Sequence, residues 1–398
     1  MITRNSTSAL HAAAVREMTR QQSLLSKTQI QVASGQRIQS PADDPIGTTR
    51  ILAMEQNRAR LAQYGRNSEI LTARLSLGEQ ALADATGVLQ SVRERAIQAN
   101  SGVLDETARR SLATEIRARA QELLDITNRQ DGNGEYLFAG FSSQTRPFTQ
   151  TATGVVYTGD QGVRSLQVGA DQRVADGFAG TDLFLRIPEG NGSFVTATGV
   201  HTGAASIDSG RVTGSAGWTA DNYTLAFTST TTWQVRDSLA NVVASGNYVD
   251  GSAIAFNGAE VVVKGQPAAG DTFTVGPAST KDMFKTLDDL ARSLETAGSG
   301  PSSGSLVSTA VAAGLTQLDQ ALARVIDTRA VVGARLNTVD NATASREQFD
   351  EQLAAQVSDV RDLDYAEAVS RMNQQLTGLQ AAQAAYSRIA RLSLFDYL

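Results

Sequence analysis

Apolar residues recur at three- and four-residue intervals over residues 61–126 and again over 315–339. A third series begins at Tyr365 and reaches Ala390. This spacing puts the apolar side chains on one helix face and is typical of helices packed in a bundle or coiled coil. We therefore predict long helices with buried faces at both ends of the chain. The two main series are Leu61, Tyr64, Ser68, Leu71, Leu75, Gly78, Leu82, Ala85, Leu89, Val92 and Ala96, then Leu315, Leu318, Leu322, Val325, Arg329, Val332, Leu336 and Val339.

The region between these helices has a different pattern. It is rich in Gly, Thr, Ser and Val, and apolar and polar residues alternate in short stretches such as "NYTLAFTSTTTWQV" and "AEVVVKG". Alternation with period two, interrupted by turn residues, is typical of β-strands. The patterns together predict a multidomain α+β protein. Its N- and C-terminal helices pair into a coiled-coil or helical-bundle rod, and an all-β middle domain is inserted between them.

The extreme ends carry a thinner apolar stripe than the inner helices. Its N-terminal members include Leu25 and Val32 with Gln21 and Thr28 between them, and Gln383 interrupts the C-terminal series. Burial of so few large apolar side chains returns less free energy than ordering a long helix costs. We expect the two terminal helices to be marginally stable in a lone molecule and to gain stability by burying further faces against copies of the same chain.

The helical pattern breaks within "VASGQRIQSPADDPIGTTRI", residues 32–51. Gly35 suits the left-handed position after a helix, and Pro41 prevents the helix from continuing. Asp44 can cap a new helix whose first residue is Pro45, and Asp43 adds negative charge near its positive end. The segment is therefore a joint between two helices, and an ordinary interhelical loop is the alternative that the pattern leaves open.

Composition limits the classes of partner and of chemistry. The chain has 398 residues and a net charge of −6, which argues against nucleic acid and anionic membranes as partners. It contains no cysteine, so disulfides and thiolate sites are excluded. It has no apolar run long enough to span a membrane, and its N-terminus lacks the apolar core of a secretory signal peptide. Either the protein stays in the cytoplasm or it leaves by another route.

Candidate catalytic and metal-binding residues are few. His11 and His201 lie at unrelated places, and no HExxH motif accompanies them. "DGNGEY", which starts at Asp131, departs from a calcium loop at its sixth and twelfth positions, so we interpret it as a turn that opens a hairpin. The pairs Asp288–Asp289 and Asp362–Asp364 are predicted to lie on solvated helix faces. We predict no catalytic, cofactor-binding or metal-binding residues.

Four segments carry a family resemblance. The joint "SGQRIQSPADDPIG" resembles that of the flagellin and hook-associated protein family of the bacterial flagellum, and its two prolines resemble the hook-associated members more than the filament flagellins. "DGNGEYLFAGF", "KGQPAAGDTFTVGPASTKDMFKTLDDL" and the final "LSLFDYL" resemble the corresponding segments of hook-associated proteins. Together the four are specific, whereas each alone is weak.

The resemblance implies three layers. Residues 1–44 with 358–398 would form an inner coiled-coil layer that becomes ordered on assembly. Residues 45–185 with 281–357 would form a helical rod with a β-hairpin, and residues 186–280 an outer β-domain. The inner layer would bury apolar side chains between subunits, and a joint would connect the layers. We predict subunit packing by Leu25, Val32, Met372, Leu376, Leu379 and Leu394, and a joint made by Gly35, Pro41, Asp44 and Pro45.

The resemblance also implies a function. The protein would be a structural adaptor at the hook–filament junction, outside the cell, exported without a cleaved signal peptide. Its partners would be copies of itself in a ring, the hook-side junction protein (hook-associated protein 1), flagellin, and an export chaperone on the C-terminal segment. Two alternatives stay open: a filament flagellin, and a glycan-binding or enzymatic module in the β-domain. Trp218, Tyr223 and Trp233 could form a ligand platform in such a module, although packing is the more ordinary role for them.

Overall fold

The computed structural model describes residues 7–100, 104–213, 217–296 and 303–391. Within this part of the chain, helices occupy both ends and strands the middle, which confirms the predicted order. The helices are α1 (Thr7–Ser34), α2 (Pro45–Ala99), α3 (Glu106–Thr127), α4 (Met283–Thr296), α5 (Ser303–Arg361) and α6 (Tyr365–Arg391).

The strands are short, and all of their pairings are antiparallel. They are β1 (Phe148–Thr151), β2 (Gly154–Tyr157), β3 (Ser165–Gln167), β4 (Arg173–Ala175), β5 (Ile187–Pro188), β6 (Phe194–Thr198), β7 (Ser206–Ile207), β8 (Arg211–Val212), β9 (Tyr223–Ser229), β10 (Thr232–Arg236), β11 (Val242–Asn247), β12 (Ala253–Phe256), β13 (Ala259–Lys264), β14 (Thr272–Pro277) and β15 (Thr280–Lys281). A π-helical turn, Thr181–Leu185, precedes β5.

The middle domain is built on two sheets. The larger has the strand order β11-β10-β9-β14-β6, and the smaller has the order β12-β13-β7 with β8 paired to β13. Tyr223, Leu225 and Phe227 alternate along β9 and are all buried, and β13 shows the same alternation. The period-two pattern in the sequence therefore predicts correctly which side chains form this core.

The chain separates into two compact units. One comprises Met1–Arg66 and Ala342–Leu398, and the other comprises Asn67–Asn341. The three layers predicted from the sequence divide the chain at other residues, and their boundaries stay predictions.

In the unit of residues 67–341, α2 and α5 bury the predicted apolar faces. Leu71, Leu82 and Leu89 of α2 are fully buried, as are Leu318 and Val325 of α5. These residues confirm that the three- and four-residue spacing marks a core.

One member of the predicted stripe has another role. Arg329 reaches across to Glu79, with Nε and Nη2 of the arginine 2.8 Å and 2.7 Å from Oε1 of the glutamate. The position therefore carries an ion pair between α5 and α2 instead of an apolar contact.

The "DGNGEY" segment forms a tight loop after α3. Asp131 Oδ1 accepts hydrogen bonds from the backbone N–H groups of Asn133 and Glu135. The buried Arg74 of α2 donates from Nη1 to Asp131 Oδ2 at 2.7 Å and to Glu135 Oε2 at 2.9 Å. A bridge between Gln130 and Tyr136 closes the loop, so both acidic side chains serve the turn and the ion pair.

Candidate assembly site

In the unit formed by residues 1–66 and 342–398, α1 and α6 pack side by side and run antiparallel. The rings of His11 and Tyr386 meet edge to face at one end of the pair, 5.6 Å apart. At the other end Leu363, just before α6, donates its N–H to the carbonyl of Gly35, just after α1, at 2.9 Å. The two ends of the chain therefore build one helical pair.

The joint predicted at residues 35–45 has a second break beside it. The chain leaves α5 at Arg361 and enters α6 at Tyr365, and this break pairs with the first through a bridge between Gln36 and Asp362. The N–H of Arg37 also donates to the carbonyl of Arg361 at 2.7 Å. We call residues 35–44 together with 362–364 the double break. Its two segments are held to each other by backbone hydrogen bonds.

Gly35 ends α1 in the left-handed conformation expected of it. Its φ is +71°, and its N–H donates to the carbonyl of Gln31 at 2.9 Å. A Cβ at this position would lie 2.9 Å from the Tyr365 hydroxyl oxygen. Both the backbone conformation and the close approach of α6 therefore favour glycine.

Asp44 caps α2, and Pro45 is the first residue of that helix, as predicted. Asp44 Oδ1 accepts the N–H of Gly47 at 2.8 Å, and the Asp44 carbonyl accepts the N–H of Thr48 at 2.9 Å. The hydrogen bond from Gly47 lowers the pKa of the Asp44 carboxyl. The side chain therefore satisfies a backbone donor at the helix start in its ionised form. Pro41 lies exposed in the loop before this cap.

Asp43 holds the loop to α1, which is more than the dipole role predicted for it. Its Oδ1 lies 2.6 Å from Lys27 Nζ, and its Oδ2 accepts the N–H of Ser40 at 3.0 Å and of Gln39 at 3.2 Å. Lys27 is the main cause of a pKa for Asp43 well below the usual range of a carboxyl, and these backbone donors add to it. The contacts of the folded loop therefore favour the ionised form of Asp43.

Arg37 links the two segments of the double break, and sequence reasoning did not single it out. Its Nη2 donates to the carbonyl of Val360 at 2.7 Å, and its Nη1 lies 3.4 Å from Asp44 Oδ2. Gln31 of α1 donates from Nε2 to the Arg37 carbonyl at 2.7 Å. One side chain thus contacts the end of α5 and the cap of α2.

The pair Asp362–Asp364 does not lie on a solvated helix face, so that prediction was wrong. Both residues lie in the gap between α5 and α6. Asp364 Oδ1 accepts the N–H groups of Ala366 and Glu367 and so caps α6. Asp362 Oδ2 accepts the Ser358 hydroxyl at 2.5 Å. Two carboxylates that bind backbone and hydroxyl donors can end one helix and start the next without glycine or proline.

Five of the six residues predicted to pack between subunits lie on the α1–α6 pair. Leu25 is buried, whereas Val32, Met372, Leu376 and Leu379 are half-buried. Leu394 lies outside the described residues. Other apolar side chains of the same pair remain at least 40% exposed in the protomer: Val15, Leu24, Ile30, Tyr365 and Val369.

Family models match both ends and the middle of the chain. The bacterial flagellin N-terminal helical region matches residues 6–143, and the bacterial flagellin C-terminal helical region matches residues 315–398. The D2-like domain of flagellar hook-associated protein 1 matches residues 196–277. The first two models contain the two segments of the double break.

Individual relatives narrow the family from flagellins in general to one group of hook-associated proteins. Flagellar hook-associated protein 3 of Salmonella typhimurium is 33% identical over 168 residues, which are 41% of this chain and only 52% of that protein. The protein of the same name from Escherichia coli is 25% identical over 395 residues, 99% of each chain. The crystal structure of the flagellar junction protein FlgL from Legionella pneumophila shares 32% identity and a TM-score of 0.73, and the match covers 78% of this chain and 99% of that one. This chain belongs to the flagellar hook-associated protein 3 family.

As a member of the hook-associated protein 3 family, the protein is a structural component of the bacterial flagellum. A place in the flagellum is consistent with a location outside the cell, and the relatives named above are flagellar components. Within the described residues, no helix combines the length and apolarity needed to cross a bilayer.

The three aromatic residues considered for a ligand platform do not form one in this hook-associated protein. Tyr223 is buried in the β-domain core, and Trp218 packs against it and against Phe194 with ring centroids 5.1 Å and 5.0 Å apart. Trp233 is half-buried and donates its indole N–H to the carbonyl of Asn247. The packing role is the one that the structure supports.

The second histidine lies in a buried polar cluster. His201 Nε2 is 2.9 Å from Ser305 Oγ, and His201 Nδ1 is 3.7 Å from Asp271 Oδ2, too far for a hydrogen bond. The Asp271 carboxylate instead accepts backbone N–H groups of Thr202 and Ala268. Ser305, His201 and Asp271 follow one another in the order of the nucleophile, base and acid of a catalytic triad. The His201 and Asp271 side chains, however, are only 2% and 0% exposed. The cluster therefore ties the loop after β6 to the first turn of α5.

Proposed function

We propose that this protein is a structural adaptor at the hook–filament junction, where copies of it assemble into a ring. Membership of the hook-associated protein 3 family supports the proposal, and a related chain of the same fold from Legionella pneumophila is described as a flagellar junction protein. The observation that carries it is the α1–α6 pair, which combines one shared seam with exposed apolar residues on its outer faces.

Assembly through this pair follows from its surface. Leu24 and Ile30 of α1 are 40% and 53% exposed, and Val369 of α6 is 40% exposed. Among the described residues of this unit, no second layer covers these side chains of the α1–α6 pair, so a neighbouring copy is the natural source of cover. Burial of this surface between copies stabilises the pair, and we infer that the terminal helices complete their folding on polymerisation.

The double break attaches α1 and α6 to the rest of the chain at one place in the described structure. Because Gln36 pairs with Asp362 and Arg37 binds the end of α5, α1 and α6 leave the joint together. A change of angle at the joint would therefore turn the pair as one body. Such an arrangement suits an adaptor between a bent hook and a stiff filament.

The axial partners belong to the same proposal. The ring would contact the hook-side junction protein, hook-associated protein 1, on one side and flagellin on the other. The C-terminal segment would bind an export chaperone before assembly, and the chain would leave the cell through the flagellar export channel without a cleaved signal peptide. Membership of the hook-associated protein 3 family supports these partners.

Leu376→Asp combined with Leu379→Asp tests the assembly proposal. Two carboxylates at half-buried positions of α6 would disrupt that layer while leaving the unit of residues 67–341 folded. In a strain that lacks the native gene, the variant should be exported with the unit of residues 67–341 able to fold but should leave the filament unattached, so that intact flagellin monomers accumulate in the medium.

The matched control adds the same charge elsewhere. Ser245→Asp with Asn247→Asp alters exposed positions of β11 in the middle domain and should attach filaments as the wild type does. Normal attachment by the variant with Leu376→Asp and Leu379→Asp would refute the assignment. If the deletion strain released no flagellin monomers at all, a filament subunit would be indicated instead of a junction adaptor.

A further inference from the structure

Residues 45–66 of α2 and 342–361 of α5 form an antiparallel pair next to the double break. Arg58 Nε lies 2.9 Å from Asp350 Oδ1, and Arg58 Nη2 lies 3.2 Å from Asp350 Oδ2. Farther along, a Cβ at Gly65 would lie 3.0 Å from the Arg346 guanidinium, so the helices approach closely there. These contacts fix which side of each helix faces the seam.

One flank of this pair is basic and partly apolar. An α-helix turns about 100° per residue, so Ile46, Arg50 and Arg60 lie to one side of the α2 residues that face α5. Phe349 of α5 lies on the same side because the helices are antiparallel. All four are exposed, Ile46 by 70% and Phe349 by 59%. We call these four residues the basic flank.

The opposite flank is acidic. Glu55 of α2 lies there with Glu347 and Glu351 of α5, and all three are exposed. The Arg58–Asp350 contact lies toward this side. It raises the pKa of Arg58, and the charge of Glu55 adds to that effect, which places Glu55 beside the contact. We call these three glutamates the acidic flank. Arg66 also lies there and offsets part of its charge.

The charged residues of the two flanks make few ion pairs within the protomer. Among the described residues, Arg50 and Glu351 make no salt bridge, and Arg60 contacts only the side-chain oxygen of Asn57. Glu347 lies 3.3 Å from its chain neighbour Arg346 and its side chain remains 66% exposed. Complementary charges on opposite flanks are suited to attract another copy of the same chain.

We propose that the basic flank of one copy docks on the acidic flank of the next copy. The inference rests on the ring assembly proposed above and names the lateral contact within it. Two different faces of the same chain make a head-to-tail interface, which closes into a ring when the rotation between copies permits. Ile46 and Phe349 supply the apolar anchors, and the charges set partner and register.

Charge reversal on each flank tests the contact. The basic-flank variant carries Arg50→Glu and Arg60→Glu, and the acidic-flank variant carries Glu347→Lys and Glu351→Lys. Each variant alone brings like charges together at every interface, so filament attachment in the deletion strain should fall at least about tenfold. A chain with all four substitutions restores opposite charges and should attach filaments within about twofold of the wild type.

Co-production of the two variants gives the most discriminating result. Each variant then meets opposite charges only on copies of the other, so the mixture should restore attachment although neither variant does so alone. Asp359→Lys, on the side of α5 away from the seam, is the control and should behave as the wild type. Circular dichroism of the purified variants and their amounts in the medium establish folding and export.

Each outcome has a separate meaning. If both flank variants attach filaments normally, or if the folded and exported pair fails to restore attachment, the flank contact is wrong. If the wild-type chain itself fails to restore attachment in the deletion strain, the proposed function is wrong as well.

Discussion

Gly35 and Gly78 differ in backbone conformation and in surroundings. Gly35 has a φ of +71° and lies against Tyr365, whereas Gly78 is in the middle of α2 with nothing within 4 Å of the position of a Cβ. The first glycine permits the joint. The second costs helix stability without a contact in the protomer that explains it.

Alanine at each position should act in opposite directions. Gly35→Ala forces an L-residue into the left-handed region and should reduce the stability of the joint by about 1–2 kcal/mol. Gly78→Ala should add about 0.5–1 kcal/mol, because it restricts the unfolded chain and clashes with nothing. Amide hydrogen exchange around each position measures both changes. Unchanged exchange in Gly35→Ala would contradict the role assigned to this glycine.

Arg74 offers a prediction about buried charge. Its guanidinium contacts Asp131 and Glu135, and its Nε lies 3.7 Å from Asp176. Arg74→Met leaves buried carboxylates without their cation and should destabilise the unit of residues 67–341 by about 3 kcal/mol. This value is at the lower end of the stability loss that follows when a buried ion pair is broken, because Arg164 still binds Asp176.

Chemical denaturation checks this value, with Arg93→Met as the control. Arg93 and Asp319 form an exposed ion pair that also involves α2, and its loss should cost less than about 1 kcal/mol. Equal losses in the two variants would show that the Arg74 cluster is no more than a surface ion pair.

The sequence predicts the residues of the first break well because caps act locally. Gly35, Asp44 and Pro45 each bind or face groups within a few positions of themselves. Arg37 could not be assigned a role in the same way, because its partner Val360 lies near the other end of the chain. Only the folded protein brings those two residues together.

At the scale of elements, the helices and the alternating strands were predictable, but two features were not. The gap between α5 and α6 falls in "SDVRDLDYAEAV", which contains no glycine or proline and reads as continuous helix. The side chains of Asp362 and Asp364 act there together with tertiary contacts to the first break, and the sequence pattern does not show those contacts. The order of strands in the larger sheet, with β14 between β6 and β9, likewise depends on pairing between distant segments.

A disulfide across the double break tests its pairing. Gln36→Cys with Asp362→Cys places two thiols on residues directly opposite in an antiparallel bridge, where the Cα separation of about 4.5–5.5 Å suits a disulfide. We expect rapid cross-linking under mild oxidation, free of competing thiols because the chain contains no cysteine. Gel mobility under non-reducing conditions reports the product.

The control for this cross-link is Gln36→Cys with Ser345→Cys, which places the second thiol several turns earlier on α5. It should cross-link poorly. If the two pairs react equally, the segments of the double break separate freely in solution. If the cross-linked protein still attaches filaments, the two segments need not separate on assembly.

At the scale of the whole molecule, the two ends of the chain differ from the rest in how they are buried. The α1–α6 pair shares one seam, and Leu25 and Thr28 are among its few buried side chains. In the unit of residues 67–341, by contrast, Leu71, Leu82 and Leu89 of α2 are fully buried, and so is the alternating face of β9. We therefore expect the terminal pair to open at lower free energy than the rest of the chain.

Limited proteolysis of the dilute monomer tests this difference. Both terminal helices should be trimmed rapidly to a stable fragment of about residues 45–355, because a local opening of the pair exposes their backbone. Mass spectrometry identifies the fragment. Slow amide exchange throughout α1 and α6 in an unassembled sample would show that the pair is already stable, and would remove the reason for folding on polymerisation.

The pairing of α1 with α6 has a consequence for the order of events in a cell. Of the described helices, α1 is synthesised before the others and its partner α6 after them, so the contact between His11 and Tyr386 forms only once α6 has been made. Contacts so distant in sequence form slowly, because a long stretch of chain must close on itself. A chain whose synthesis stops before α6 leaves α1 without its partner, even if the other elements have folded. Formation of the pair therefore depends on synthesis of the whole chain between α1 and α6.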